Sequence, residues 1–328
     1  MTKYIDYNVS AGVNVGFTAI MIPPLFVIMC ISFYRARRSH DPARVTIAYF
    51  KAMLPVAILW LLMYTIQGIL SIIYEQSYSD TGGIYHASLR TSLLGTLFSY
   101  ITNLLLIMTL AELGNGFLFC LTQTRTALQK AVRYAAIASC IILSMLAIAI
   151  FGVYNAEYSR YLSDWWYRYD EDSLYEASRK MNVAFNILTF VWALLLVAFA
   201  AVVFNKTKHN YILKNSAVLF LVAAILNFVT QLYTLIYLSV FVLADFYPYD
   251  QYETYTALMF VDPVINDWIY TAVVSLVFVI VIRKRNGLWT TVQPWMDQEG
   301  PPALAANPIH KGRGEQWQQP SNSHVLGV

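Results

Sequence analysis

Charge is scarce in this sequence. Only 12% of its 328 residues are Asp, Glu, Lys or Arg, against about 25% in an ordinary soluble domain. With 58% hydrophobic residues and a mean hydropathy of +0.51, the chain has too few polar groups to cover a water-facing surface. The formal net charge of only +3 also excludes nucleic-acid binding by bulk charge, so no nucleic-acid partner is predicted.

Cysteine and metal-binding motifs are equally sparse. The three cysteines, Cys30, Cys120 and Cys140, fall in apolar runs or at their ends, so no disulfide framework is indicated. The sequence has no CxxC pair, no His/Cys spacing typical of a metal site, no phosphate-binding loop and no Gly-x-Ser-x-Gly elbow. It therefore predicts neither a metal site nor a cofactor.

Long apolar runs, in contrast, are abundant. A helix needs about 20 apolar residues to cross the hydrocarbon core of a bilayer. A seventh run begins at Asp262-Pro263, where Asp suits the N-cap and Pro the first helical position. The seven predicted helices cover residues 13–34, 52–74, 91–111, 134–156, 181–205, 215–244 and 263–282. The predicted fold is an all-α, polytopic membrane protein with a seven-helix bundle over residues 13–285.

Basic and acidic residues alternate between the links that join these runs. The basic links contain Arg35, Arg37, Arg38, Arg44 and Lys51, then Arg125, Lys130 and Arg133, then Lys206, Lys208 and Lys214, then Arg283, Lys284 and Arg285. Because cytoplasmic loops retain positive charge, residues 1–12 are predicted to be lumenal or extracellular. Residues 286–328 are then a cytoplasmic tail, and its Pro-, Gly- and Gln-rich composition predicts disorder from about residue 300.

The N-terminal segment contains a glycosylation sequon, Asn8-Val9-Ser10, so Asn8 is a predicted glycosylation site. It has no basic, apolar and small-residue regions typical of a cleavable signal peptide. The predicted location is the endoplasmic reticulum or the plasma membrane.

Carboxyl groups inside the predicted helices are candidate catalytic groups, because a polar side chain in hydrocarbon needs a partner or a function. Glu112 lies in the predicted helix 3, and Asp267 lies more than one turn inside predicted helix 7. Asp262 is most simply the N-cap of predicted helix 7, but it is also a candidate catalytic group. Glu112 and Asp267 are expected to face inward on one shared cavity, where a protonated carboxyl could donate a proton to a substrate.

A second set of side chains falls nearer the predicted outer ends of the helices. These residues share one depth on several helices, so we expect them to converge on a pocket that binds a substrate. Their aromatic members could line the path of a cation, because aromatic faces stabilise cations by roughly 0.5–2 kcal/mol. The predicted substrate-binding residues are Tyr64, Gln67, Tyr100, Asn103, Asn186, Asn227, Gln231, Asn266, Trp268 and Tyr270.

Three known protein classes match only in part. A G-protein-coupled receptor shares the seven helices, but helix 3 ends in Cys120-Leu-Thr-Gln-Thr-Arg125 and lacks the Asp/Glu-Arg-Tyr triplet. A retinal protein needs a lysine in helix 7, which has none before Lys284. Metal-dependent prenyltransferases need Asp-rich motifs, whereas Asp262 and Asp267 are five residues apart and form no such motif.

A divergent fungal-type receptor remains an alternative function. A transporter is the least supported alternative, because the chain has no internal repeat.

Two stretches carry a family resemblance: Ala111-Glu-Leu-Gly-Asn-Gly-Phe-Leu-Phe-Cys120 and Asp262-Pro-Val-Ile-Asn-Asp-Trp-Ile-Tyr270. They resemble the seven-helix membrane proteins of fungal indole-diterpene and meroterpenoid biosynthesis, some of which are terpene cyclases that use no metal. The resemblance implies an apolar isoprenoid substrate drawn from the bilayer, with Asp267 or Glu112 as proton donor. It also implies association with other membrane enzymes of such a pathway.

Overall fold

The computed structural model describes residues 7–36, 42–76, 82–122, 124–163, 172–209, 211–243 and 252–283. Within these ranges all regular secondary structure is helical, and seven helical spans are long and apolar enough to cross a membrane. This confirms the predicted all-α class and the seven-helix, multi-pass architecture. The α-helices are α1 (Tyr7–Ala19), α2 (Ile22–Arg35), α3 (Thr46–Gln76), α4 (Gly82–Thr122), α5 (Ala127–Ser163), α6 (Asp172–Thr207), α7 (Tyr211–Tyr237), α8 (Tyr252–Pro263) and α9 (Ile269–Ile282).

Several sequence predictions concern segments outside the described residues. These are the tail, residues 286–328, and residues 1–6 of the N-terminal segment. Asn8 lies in the first turn of α1, but its side chain is also outside the described part, so its glycosylation stays a prediction.

The outer surface of the bundle is apolar, as a lipid-facing surface requires. On α5, the side chains of Ile141, Ile142, Met145 and Ile148 are 55–65% exposed. A soluble monomer rarely exposes such a continuous apolar stripe. Hydrocarbon, which solvates these side chains at no cost, is the environment that this surface fits.

Helix α4 forms the centre of the bundle. Every residue from Leu106 to Leu118 is buried, and the helix packs against α3, α5, α6 and α7. A helix that is buried on all sides must be surrounded by other helices rather than by lipid. Residues of α4 therefore line both of the sites described below.

The first span is broken in its middle, which the sequence prediction of one helix over residues 13–34 did not include. Helix α1 ends at Ala19 and α2 begins at Ile22, with Pro23 and Pro24 in its first turn. Proline has no backbone N–H, so it cannot donate to the carbonyl four residues earlier. The two prolines thus separate the span into two helices.

The seventh span begins earlier than predicted, and the expectation that Asp262 is an N-cap is wrong. Helix α8 starts at Tyr252, so Asp262 and Pro263 lie at its end, inside the span. A π-helical segment, Val264–Trp268, then connects α8 to α9. Such π-helical turns are frequent at functional sites, and this one carries Asn266 and Asp267.

Close packing of α4 against α6 gives a direct test of the fold. A Cβ atom added to Gly114 would lie 2.3 Å from the Phe199 ring, whereas one added to Gly152 would meet nothing within 4 Å. We expect Gly114→Ala to lower the free energy of unfolding by about 1–3 kcal/mol through overpacking. Thermal unfolding of the purified protein in detergent measures this effect.

The matched control is Gly152→Ala, which makes the same chemical change on another helix. Because alanine has a higher helix propensity than glycine, this variant should unfold at the wild-type temperature or slightly above it. Equal destabilisation by both substitutions would contradict the described packing of α4 against α6.

Candidate ligand-binding cavity

A polar cavity of about 620 Å³ opens in the half of the bundle that contains the start of α1. We call this half the N-terminal end and the opposite half the basic end. The cavity lining comes from α1, α3, α4, α6, α7, α8, the π-helical segment Val264–Trp268 and the first turn of α9. A volume of this size suits a small organic molecule.

Side-chain amides and hydroxyls form much of the wall. The Tyr100 hydroxyl donates to Asn182 Oδ1 at 3.1 Å, and Asn186 Nδ2 donates to the same oxygen at 2.7 Å. Across the cavity, Gln231 Nε2 lies 3.5 Å from Asn103 Oδ1. These contacts join α4 to α6 and α7, so they hold the polar wall in place.

The wall also carries two carboxyl groups. Asp267 is 5% exposed, and its Oδ2 accepts a hydrogen bond from Thr18 Oγ1 at 2.6 Å. Asp262 Oδ1 accepts one from Asn266 Nδ2 at 2.7 Å. None of the described lining residues is Lys, Arg or His. Within the residues that the structure describes, no group of three or more His, Cys, Asp or Glu side chains could hold a metal ion.

Two polar atoms of the aromatic side of the cavity lack hydrogen-bond partners among the described residues. They are the indole Nε1 of Trp60 and the hydroxyl of Tyr270, and both side chains are buried. The Trp60 ring contacts Tyr270 edge-on at 5.3 Å and Tyr64 at 6.3 Å between ring centroids. Buried polar atoms normally have a partner. The Trp60 indole lies close to the Tyr64 hydroxyl, so the Tyr270 hydroxyl is the clearer exception.

Helix α1 closes one side of the cavity through three polar residues spaced four apart. Ser10 Oγ lies 3.4 Å from Met259 Sδ, Asn14 Nδ2 donates to the Met259 carbonyl at 2.7 Å, and Thr18 bonds Asp267. Pro263, four residues after Met259, has no N–H to donate to that carbonyl. Asn14 therefore replaces the hydrogen bond that the proline removes, as neighbouring helices do in membrane proteins.

A layer of apolar side chains closes the bottom of the cavity in the middle of the bundle. Its members are 0% exposed, and they follow the deepest lining residues on α3, α4, α7 and α9 toward the basic end. The layer consists of Leu54, Ala57, Leu110, Ala223, Ala224 and Val274. The described bundle therefore has a cavity open at one end and no continuous polar passage through it.

The structure brings ten of the thirteen predicted catalytic and substrate-binding residues to this one cavity. They come from five spans that are far apart in the sequence. The ten residues are Tyr64, Gln67, Tyr100, Asn103, Asn186, Gln231, Asp262, Asn266, Asp267 and Tyr270.

Trp268 and Asn227 do not line the cavity, contrary to expectation. Trp268 is 39% exposed on the outer surface, where it packs on Phe17 and its Nε1 donates to the Phe17 carbonyl at 3.1 Å. The position of Trp268 one residue after Asp267 turns it away from the interior. Asn227 is buried on α7, but it lies deeper than Thr230, the first lining residue of that helix.

Glu112 lies at the opposite end of the bundle, so the expectation that it shares a cavity with Asp267 is wrong. It faces a separate pocket of about 330 Å³ at the basic end. The apolar layer separates the two pockets, because Leu110 and its neighbours stand between Asn103 and Glu112 on α4. Among the carboxyl groups that the structure describes, those of Asp262 and Asp267 line the polar cavity and that of Glu112 does not.

Several lining residues were missed by the sequence analysis, among them Trp60 and the polar residues Asn14, Thr18 and Asn182. The spacing of the three polar residues could have identified them. Asn14 and Thr18 stand one turn apart in a mainly apolar segment, and Asn182 stands one turn before Asn186.

No family model, no curated protein sequence and no solved structure is significantly similar to this chain.

The contact between Asn14 and the Met259 carbonyl yields a prediction about stability. Asn14→Leu should lower the free energy of unfolding by about 1–3 kcal/mol, since it leaves a buried carbonyl without a donor. In a Pro263→Ala background the restored N–H can donate to that carbonyl, so Asn14→Leu should cost much less. Urea or thermal unfolding of the four proteins of this cycle measures the coupling. An equal cost of Asn14→Leu in both backgrounds would show that the amide does not replace the missing donor.

Proposed function

We propose that this protein binds a small organic cation in the polar cavity and acts as a receptor-type membrane protein, without converting its ligand. The observation that supports this most is the composition of the cavity wall. It combines the carboxyl groups of Asp262 and Asp267 with no basic side chain among the described lining residues. An ionised carboxylate in such a site lowers the free energy of a bound cation.

The aromatic side of the cavity supports the same ligand class. Trp60, Tyr64, Tyr100 and Tyr270 all line it, and aromatic faces attract cations, quaternary ammonium groups above all. The Tyr270 hydroxyl, which has no hydrogen-bond partner among the described residues, would bind a polar group on the same molecule. The ligand we propose therefore has a cationic centre and at least one hydrogen-bonding group.

The closed bottom of the cavity favours binding over passage. A transporter or channel in a conducting state needs a polar path to the far side, whereas the apolar layer around Leu110 and Val274 is fully buried. A ligand that enters the cavity would contact α1, α6, α7 and α8 together and would leave by the way it came. We therefore favour a receptor-type function over transport.

The direction of entry follows from the distribution of basic residues. Arg44, Arg125, Arg133, Lys214 and Arg283 lie at the basic end, opposite the cavity. Because basic residues stay on the cytoplasmic side, we infer that the cavity faces the lumen or the extracellular space. A soluble cation would then reach it without crossing the membrane.

A pair of isosteric probes tests the proposal. Choline and 3,3-dimethylbutanol have nearly the same shape, but only choline is charged. We expect choline, and larger quaternary ammonium ions, to raise the unfolding temperature of the protein in nanodiscs, and the neutral alcohol to have no effect. Asp267→Asn should weaken cation binding roughly tenfold or more, since it removes a buried charge and keeps the acceptor for Thr18.

The matched control is Glu176→Gln. Glu176 lies on α6 at the same end of the bundle, but its side chain is 62% exposed and pairs with Lys180. This variant should bind cations like the wild type. Equal effects of choline and its neutral isostere, or equal losses in the two variants, would contradict the proposal.

A second function, the proton-initiated terpene cyclase, is favoured by one observation. Asp267 lies in the same cavity wall as the rings of Trp60, Tyr64 and Tyr270. A neutral carboxylic acid can protonate an alkene or epoxide without a metal, and aromatic faces can stabilise the cation that forms. The substrate class would be an apolar isoprenoid.

Product formation separates the cyclase from the receptor. In a host that supplies polyprenyl precursors, a cyclase yields a new terpenoid in the lipid extract, detected by mass spectrometry. Asp267→Asn should reduce that product by roughly 10²-fold or more, while Glu176→Gln should not. Absence of any new product, or unchanged product from Asp267→Asn, would contradict the enzyme proposal.

A further inference from the structure

A second pocket, of about 330 Å³, lies between α4 and α5 at the basic end of the bundle. The polar cavity does not reach it, because the apolar layer lies between them. Its charged members come from the end of α4, the link after it and the first turns of α5. The lining consists of Glu112, Asn115, Gly116, Phe119, Arg125, Gln129, Lys130, Arg133, Tyr134 and Ile137. We call it the basic pocket.

The side chains that line the basic pocket have a net positive charge. Three cations, Arg125, Lys130 and Arg133, surround one acid, Glu112. Arg133 Nε lies 3.3 Å from Glu112 Oε1, and the Glu112 side chain is 5% exposed. This pair uses one cation, so two positive charges remain for a ligand.

A buried amide, that of Asn115, lies at the bottom of the pocket, one turn after Glu112 and beside its carboxyl group. Asn115 is only 9% exposed, and neither its Nδ2 nor its Oδ1 meets full hydrogen-bonding geometry with any described residue. A buried amide whose hydrogen bonds are incomplete can donate an N–H to an incoming oxygen anion.

The first turn of α5 forms another side of the pocket. The Thr126 N–H donates to Gln129 Oε1 at 2.7 Å, and the Gln129 N–H donates to Thr126 Oγ1 at 3.4 Å, which is a capping box. Gln129 Nε2 also lies 3.4 Å from the Asn115 carbonyl, which ties α5 to α4. The positive end of a long helix dipole is thus held beside the three cations, and this arrangement favours an anion.

We infer that the basic pocket is a binding site for a phosphate-bearing anion. Arg125, Lys130 and Arg133 would pair with the phosphate oxygens, and the Asn115 amide would donate to one of them. Basic pockets between membrane helices bind lipid headgroups in this way. Tyr134, 69% exposed at the mouth of the pocket, and Phe119 and Ile137 would contact acyl chains, so an anionic phospholipid fits better than a soluble phosphate.

Short-chain lipids test the site on the full-length protein in neutral detergent. Binding of dioctanoyl phosphatidylinositol 4-phosphate is compared with dioctanoyl phosphatidylcholine, inositol phosphate and inorganic phosphate. We expect the phosphoinositide to bind roughly tenfold or more tightly than phosphatidylcholine. Equal affinity of the phosphoinositide and its free headgroup would assign the site to a soluble phosphate compound instead, with the same residues.

Two double variants distinguish lipid binding in the basic pocket from general attraction to the positive charge of the basic end. The double variant Arg125→Gln/Lys130→Gln should weaken phosphoinositide binding roughly tenfold or more, and Asn115→Leu roughly threefold. Lys206→Gln/Lys214→Gln removes the same charge at the same end but outside the pocket lining. It should change the affinity less than about twofold.

Glu112→Gln gives a result of the opposite sign. It removes the acid that competes for Arg133, so anion affinity should rise roughly threefold or more, while the unfolding temperature falls through loss of the ion pair. A merely structural role of Glu112 would lower both. The unfolding temperature of each variant, measured without lipid, shows whether it is folded.

Three results would overturn the inference. The first is equal binding of phosphatidylcholine and the phosphoinositide. The second is an equal loss of affinity in Lys206→Gln/Lys214→Gln and Arg125→Gln/Lys130→Gln. The third is tighter binding of an acidic peptide than of any phosphate compound, which would assign the pocket to a protein partner.

Discussion

Polar groups enclosed by hydrocarbon must find partners inside the protein, and the N-terminal end of this bundle is built around that constraint. Pro263 leaves the Met259 carbonyl without its helical donor, and Asn14 supplies one from α1. Four residues further along α1, Thr18 donates to the Asp267 carboxyl. The same contacts that satisfy buried polar atoms hold α1 against the seventh span. They thereby shape one wall of the polar cavity.

The buried helix α4 separates the interior into two chemical environments. Toward its start, Tyr100 and Asn103 face a cavity with two carboxyl groups and no basic lining residue among those described. Toward its end, Glu112 and Asn115 face a pocket with three cations. Fully buried apolar side chains lie between them, so the two ligands that we propose would occupy separate sites.

Much of this arrangement could be predicted from the sequence. Hydropathy alone identifies the seven spans, because only apolar helices satisfy their backbone in a bilayer. Polar residues at one depth, such as Tyr64, Asn103 and Gln231, identify most of the cavity, since each needs to avoid lipid. Depth along the chain also assigns Glu112 to the far end, although the sequence analysis grouped it with Asp267.

Other features depend on local backbone geometry, which the spacing of apolar residues along the sequence does not predict. The break in the first span depends on two adjacent prolines. The early start of the seventh span depends on residues 252–256, Tyr-Glu-Thr-Tyr-Thr, which are not aliphatic. The π-helical segment changes which residues face inward around Asp267. Trp268 therefore faces outward, a result that regular helical spacing alone cannot give.

The account depends most on the polar cavity being wetted from one end only. Reaction with a membrane-impermeant, cationic thiol reagent tests this in proteoliposomes, on a background in which Cys30, Cys120 and Cys140 are replaced by alanine. Asn103→Cys, deep in the cavity, should react when the reagent is applied at the N-terminal end and be protected by choline. Leu110→Cys, in the apolar layer, should react from neither side. Reaction of Asn103→Cys from the basic end, or equal reaction of both variants, would contradict the account.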